Sequence, residues 1–305
     1  MVKITRTKNA EFAWMNGRFV KWNNCKIHIM THALHYGGAV FEGMRSYKTP
    51  KGPSIFRINE HIDRLFYSAE VLGIKIKFSK NEVKNAIRDL ILKNRMEESY
   101  IRPLAYFGYG GIGVYPKNVR CDLAILAFSD YARDLLPIRI MTSKYSRPFI
   151  KSTVSGTKIS GNYASSILAM HEARTNGYDE ALMLDYKGFV SEGPAENLFA
   201  VKKGNLITPA SKSALAGITR DTIIKLSADL GIKCRKKNLR ISEIKNADEL
   251  FFCGTGKEIS PIISLDDKKI GNGKSGKITL QLRDKYFDVV KGKDKKYSKW
   301  LCYVK

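Results

Sequence analysis

Gly156-Thr157-Lys158-Ile159-Ser160-Gly161-Asn162-Tyr163 and, further along, Ser191-Glu192-Gly193-Pro194-Ala195-Glu196-Asn197-Leu198-Phe199 carry the deciding pair of side chains, one amine and one carboxylate. A lysine amine condenses with an aldehyde, and a carboxylate keeps a pyridine nitrogen protonated so that the ring accepts electrons. Lys158 alone is one of many lysines, most of which are solvated in any chain. Paired with Glu192, it suggests a pyridoxal phosphate site.

The totals fit a packed protein. A chain of 305 residues with 44% hydrophobic and 10% aromatic content has enough apolar mass for one large or two ordinary domains. The longest plain apolar run, Leu123-Ala124-Ile125-Leu126-Ala127-Phe128, is far short of the roughly twenty residues a spanning helix needs, and predicts a buried strand. Lys3, Arg6 and Lys8 are followed by no apolar stretch, so no secretory signal and a cytoplasmic location are expected. Cys25, Cys121, Cys234, Cys253 and Cys302 are scattered and odd in number, which argues against a disulfide framework and against a structural metal site.

Charge is the anomaly. Lysine and arginine number 53 against 29 acidic residues, a formal +24, which favours loose association with anionic polymers. The basic residues are spread along the chain, and the dense clusters at 233–237 and 291–296 lack interleaved aromatics, so neither a specific nucleic-acid role nor membrane binding is expected.

Element signals alternate between strand and helix. Asn16-Gly17 between Phe12–Met15 and Arg18–Trp22 predicts a tight primed hairpin turn. Asn59 is expected to cap a helix through about Leu72, and Ser79 with Glu82 forms a capping box for a second helix to about Asn94. Strands are expected at 100–107 and 123–128. Beyond a polar stretch come a strand near 138–142, a helix over about 163–174, paired strands at 181–184 and 199–201, and a helix over about 219–230. A strand at 249–253 and a helix at 278–290 complete the reading. The fold class is α/β of the α+β type: a small N-terminal domain over 1–128, an interdomain loop over 129–137 and a larger cofactor-binding domain over 138–305.

Two competing motifs fail on context. Gly108-x-Gly110-x-x-Gly113 matches a dinucleotide fingerprint, but Pro116 and the charged turn before Leu123 leave no room for the crossover helix, so a glycine-rich loop is expected. His28, His32 and His35 lack an accompanying acidic ligand and read as structural histidines; no metal is expected. A phosphate needs a helix N-terminus with free N–H groups, and Leu215-Ala216-Gly217-Ile218-Thr219-Arg220 supplies one. Gly254-Thr255-Gly256 is a second anion nest, and Arg57 offers a countercharge.

Taken in order, His35-Tyr36-Gly37, Phe41-Glu42-Gly43-Met44-Arg45, Phe56-Arg57, Tyr100-Ile101-Arg102-Pro103, Lys158 with Gly161-Asn162-Tyr163, Ser191-Glu192-Gly193 with Glu196-Asn197-Leu198-Phe199, Gly217-Ile218-Thr219-Arg220 and Gly254-Thr255 resemble the branched-chain amino acid aminotransferases of fold type IV. The resemblance implies two mixed domains with the active site at their interface, pyridoxal 5'-phosphate as cofactor, and a homodimer or multiple of dimers. It implies transamination of leucine, isoleucine and valine with 2-oxoglutarate, by a ping-pong route of the kind used in branched-chain amino acid biosynthesis. Lys158 would be the catalytic residue joined to the cofactor. Glu192 would bind the ring nitrogen, Tyr163 the ring hydroxyl, and Leu215 would pack on the ring. Arg57, Gly217, Ile218, Thr219 and Thr255 would hold the phosphate. Tyr36, Phe41 and Gly43 would line the substrate pocket. Tyr100 and Gly256 would take the α-carboxylate, and Arg102 the second carboxylate of glutamate. Val114 would reach the neighbouring subunit's pocket.

Two stretches depart from that family. Ser129-Asp130-Tyr131-Ala132-Arg133 replaces an aromatic interdomain loop, and Gly256-Lys257 replaces a smaller pair, so an altered lid and substrate breadth are expected. A D-amino acid aminotransferase or aminodeoxychorismate lyase of the same fold is the nearest alternative, and a basic nucleic-acid-binding protein a distant one.

Overall fold

The computed structural model describes residues 8–129, 136–154 and 156–304, so 130–135 of the expected interdomain loop lie outside the described residues. Cα packing divides the chain into two compact units. The first takes residues 1–132, 157–161 and 288–305, and the second takes 133–156 and 162–287.

The first unit is built on an antiparallel sheet. Strands β1 (Phe12–Met15) and β2 (Arg18–Lys21) form the expected hairpin, with Asn16 at φ 48° and Gly17 at φ 92° supplying the left-handed turn. Strands β3 (Ala39–Phe41), β4 (Met44–Thr49), β5 (Gly52–Phe56), β6 (Ser99–Phe107) and β7 (Cys121–Ser129) follow. A C-terminal strand, Leu301–Tyr303, pairs with β5, and the order is C-terminal strand, β5, β4, β6, β7, β1, β2, with β3 on β6. Helices α1 (Ile58–Leu72) and α2 (Lys80–Lys93) bury Ile62, Leu65, Ala69, Val83, Ile87 and Leu90 in one core with Val40, Met44, Ile55, Ile101 and Ile125. At the start of α2, both hydrogen bonds of the Ser79–Glu82 box form. Helix α1 differs from expectation: its cap is Arg57, left-handed at φ 51°, with no side-chain cap bond, and Asn59 lies inside the first turn.

The glycine-rich run is the connection between antiparallel β6 and β7, with no crossover helix, which rules out a βαβ unit here. The loop folds onto itself: a Cβ on Gly110 would lie 2.8 Å from the Asn118 carbonyl oxygen, and one on Gly108 2.2 Å from Asp122 Oδ2.

In the second unit, β8 (Ile138–Thr142), β9 (Glu180–Leu184), β10 (Val190–Glu192), β11 (Asn197–Lys202), β12 (Asn205–Pro209), β13 (Cys234–Lys237), β14 (Glu249–Gly254) and β15 (Glu258–Leu265) run in the order β10-β9-β8-β15-β14-β11-β12-β13. A further β10–β11 pairing closes six of them into a ring. The expected direct pairing of 181–184 with 199–201 is corrected: β9 pairs with β8 and β10, and the short β10 stands between β9 and β11. Helices α3 (Ala164–Thr175) and α4 (Ile218–Asp229) belong to this unit, as does most of α5 (Lys277–Val290). Its core joins Ile140, Leu182, Leu198, Phe252, Ile262 and Leu265.

Candidate active site

Lys158, Arg57, Phe41, Gly43, Tyr100, Arg102, Tyr36 and Val114 lie in the first unit; Tyr163, Glu192, Leu215, Gly217, Ile218, Thr219, Thr255 and Gly256 lie in the second.

Lys158 is held by its backbone. Its N–H donates to Ser68 Oγ of α1 at 3.0 Å, its carbonyl accepts from the Phe41 N–H at 3.1 Å, and the next residue, Ile159, bridges to Val40 of β3. Its Nζ lies 4.8 Å from the Phe41 ring centroid. The same ring has the Arg102 guanidinium at 4.7 Å, and Arg102 also lies 5.3 Å from the Tyr100 ring while donating to the Tyr100 hydroxyl at 3.0 Å. Arg102 Nε is buried and meets no hydrogen-bond partner among the described residues, a donor suited to an incoming anion. Gly43 is required here, since a Cβ at that position would lie 2.0 Å from the Tyr100 hydroxyl. The structure therefore gathers Lys158, Phe41, Gly43, Tyr100 and Arg102. Tyr36 sits on the short helix His32–Tyr36 against the His32 ring and is half exposed, and Val114 is 82% exposed on the glycine-rich loop.

A buried ionic group next to Phe41 was missed by sequence reasoning. Glu42, fully buried beside Phe41, accepts from His61 Nδ1 at 2.7 Å and from Arg64 Nε and Nη2 at 2.5 and 3.0 Å. Burial pushes the Glu42 carboxyl up, but the Arg64 and His61 charges and hydrogen bonds overcome it and hold the acid well below the usual carboxylate range. For His61, burial is the largest influence and lowers its pKa; Glu42 opposes, while Arg64 and Lys158 add to the depression.

Arg57 is buried, with Nε 2.7 Å from Glu60 Oε1 and the guanidinium 4.9 Å from the Trp300 ring.

In the second unit, Glu192 is the last residue of β10 and is buried. Its Oε2 accepts from the Leu215 N–H and from Asn197 Nδ2, each at 3.0 Å. Arg147 Nε stands 2.9 Å from Oε1 as an ion pair that is off the hydrogen-bond direction, and Arg147 Nη1 donates to Ser166 Oγ at 3.0 Å. Asn197 also donates to the Leu215 carbonyl oxygen at 3.0 Å. A Cβ on Gly217 would lie 1.8 Å from Asn197 Oδ1, so glycine alone fits between Leu215 and the start of α4. Gly217 is the cap of α4 with no side-chain cap bond, and buried Ile218 and Thr219 open the helix, whose first-turn N–H groups point along its axis. Thr255 and Gly256 form the turn between β14 and β15, where Gly254 pairs with Glu258. Arg220 is structural, donating to Thr208 Oγ1 at 3.0 Å and to the Pro209 carbonyl oxygen at 2.5 Å. Tyr163 ends the 3-10 turn Ser160–Tyr163 directly before α3.

The three histidines have structural partners: His28 accepts from the Met30 N–H, His32 Nε2 meets the Gly113 carbonyl and His35 Nε2 the Ile29 carbonyl. Arg147 and Asn197 carried no usable spacing. His61 and Arg64 did leave a trace, as polar residues interrupting the apolar side of α1.

An amine against an aromatic ring in the first unit, and in the second a buried carboxylate fixed from three directions and a helix that starts at a glycine cap, are residue types that fit pyridoxal 5'-phosphate and aminotransferase chemistry. Consistent with that donor set, the family model of class IV amino-transferases matches residues 39–265, and the chain belongs to this family. Within it, the chain is 40% identical over 297 residues to the branched-chain-amino-acid aminotransferase of Pseudomonas aeruginosa, covering 96% of this chain and 97% of that protein. It is 42% identical over 305 residues to the Escherichia coli branched-chain-amino-acid aminotransferase, covering 98% and 99%. A solved structure of the T.th. branched-chain amino acid aminotransferase complexed with N-(5'-phosphopyridoxyl)-L-glutamate superposes with TM-score 0.94 at 39% identity, over 97% of this chain and 99% of that one.

Proposed function

We propose that this chain is a pyridoxal 5'-phosphate-dependent transaminase that passes the amino group of L-leucine, L-isoleucine and L-valine to 2-oxoglutarate, giving branched-chain 2-oxo acids and L-glutamate. The observation that carries this reading is the sharing of the Phe41 ring by the Lys158 amine and the Arg102 guanidinium, at 4.8 and 4.7 Å. An amine for the chemistry and a cation for a second carboxylate meet on one apolar wall, which suits an aliphatic side chain and glutamate in alternation.

The cofactor, when bound, supplies an aldehyde for the amine and a ring that accepts electrons. Lys158 Nζ would hold the cofactor through its aldehyde and, as the amine set free when substrate amine takes its place, would accept the proton from the substrate Cα. Glu192, fixed by Arg147, Asn197 and the Leu215 N–H, holds the proton at the ring nitrogen. Tyr163 would hydrogen-bond the ring hydroxyl, and Leu215 would pack on the ring. Ile218 and Thr219 N–H groups, with Gly217, Thr255 and Arg57, bind the phosphate. Phe41, Gly43 and Tyr36 shape the side-chain pocket and exclude water. Tyr100 and Gly256 orient the α-carboxylate, and Arg102 takes the second carboxylate of glutamate.

A homo-oligomer, a dimer or multiple of dimers, is part of the same reading. Ile29, Leu34, Ile112, Val114 and Tyr115 of the first unit are exposed apolar side chains that a second copy would cover, with Val114 reaching its pocket. A cytoplasmic location is supported by five free cysteines, and among the described residues no helix is long and apolar enough to cross a membrane. Steady-state assay of leucine, isoleucine, valine and D-alanine against 2-oxoglutarate tests the proposal. Turnover of the three branched L-amino acids is expected, and a preference for D-alanine would contradict it.

A further inference from the structure

The C-terminal strand puts Trp300 beside Arg57. Leu301 pairs with Phe56 in antiparallel register, which brings the preceding residue, Trp300, opposite Arg57. The Arg57 N–H donates to the Trp300 carbonyl oxygen at 2.7 Å, and the Arg57 guanidinium lies 4.9 Å from the Trp300 ring centroid. The ring itself is fixed: it stacks on Tyr297 at 4.1 Å and meets Phe56 edge-on at 5.9 Å. Arg57 and Trp300 are 6% and 7% exposed, so their contact is largely shielded from water, where a cation over an indole is strongest.

Arg57 also holds a left-handed backbone, φ 51°, which a residue with a side chain keeps only when its surroundings impose it. Trp300 meets Arg57 twice, through its carbonyl on the backbone N–H and through its ring on the guanidinium, while Glu60 accepts from the Nε edge. A guanidinium so fixed has already lost the rotamer freedom that a free arginine surrenders on binding an anion.

We infer that Trp300 is a positioning residue that holds Arg57 in the orientation in which it receives the cofactor's phosphate. The inference rests on the assignment of Arg57 to that phosphate. The full chain, freed of cofactor, is titrated with pyridoxal 5'-phosphate and with pyridoxal, which lacks the phosphate, and the bound form is followed by visible absorbance. Trp300→Leu is expected to weaken pyridoxal 5'-phosphate about tenfold while leaving pyridoxal within about twofold, with Trp300→Phe in between. In an Arg57→Met background, Trp300→Leu adds nothing further. Should the leucine variant not fold, the phenylalanine variant decides, with a loss of about threefold confined to the phosphorylated ligand. Equal weakening of both ligands, or of neither, by a folded Trp300 variant overturns the inference. If Arg57→Met itself leaves the preference for the phosphorylated ligand intact, the assignment of Arg57 falls, and the role of Trp300 falls with it.

Discussion

Glu180, at the start of β9, shows how burial sets the state of a single carboxylate. It is 3% exposed, and burial first, then the charge of Glu196, pushes its pKa from the ordinary 4.5 to about 8, against the pull of Lys257 at 3.7 Å. The native protein thus retains a proton that the unfolded chain gives up, so this residue's contribution to stability is fully present below pH 4.5 and is lost as pH rises towards 8. Melting temperature followed across that window should fall more steeply for the wild type than for Glu180→Gln; parallel curves would contradict the assignment. The added charge at Lys257, beside the expected carboxylate turn, stands 3.7 Å from this carboxyl within its own unit.

At the scale of elements, α1 does two jobs on one side. Ile58, Ile62, Leu65 and Ala69 enter the core, while His61, Arg64 and Ser68 reach Glu42 and the Lys158 backbone from neighbouring positions. Truncating Glu42 removes the buried carboxylate that Arg64 and His61 share, where the Arg64 side chain is 13% exposed, so Glu42→Ala should cost about 3–5 kcal/mol in denaturant unfolding. A loss below about 1 kcal/mol would mean that the ionic group does not hold the segment. This stripe also marks the limit of sequence reading. Helices were legible where caps and apolar spacing agreed, as at Ser79 and Glu82, and the Asn16-Gly17 hairpin followed from its backbone needs. Lys158, Glu192 and the glycine-capped start of α4 were legible from their motifs. Strands β3 and β10 and the C-terminal strand each have three residues, too few for an alternation to register, and the partners of β3 and of the C-terminal strand are distant in the chain. β13 reads as a basic cluster, Cys234-Arg235-Lys236-Lys237, yet it is an edge strand whose charges discourage further pairing. Arg147, Asn197 and Trp300 act through contacts that no local spacing encodes.

Across the whole molecule, each unit packs around its own large hydrophobic cluster, and the +24 charge acts on solubility and loose association rather than on those cores. The return of 157–161 and 288–305 to the first unit gives Lys158 and Trp300 to the same body as Phe41, Arg57 and Arg102. The second unit holds Glu192, with its anchoring Asn197 and Arg147, and the glycine-capped start of α4. The most direct measurement is glutamate formation from L-leucine and 2-oxoglutarate by the wild type and by Lys158→Ala, both supplied with pyridoxal 5'-phosphate. Turnover by the wild type, reduced by about 10³-fold or more in the variant, is the predicted result. A Lys158→Ala protein that forms glutamate at a rate comparable to the wild type would contradict the account.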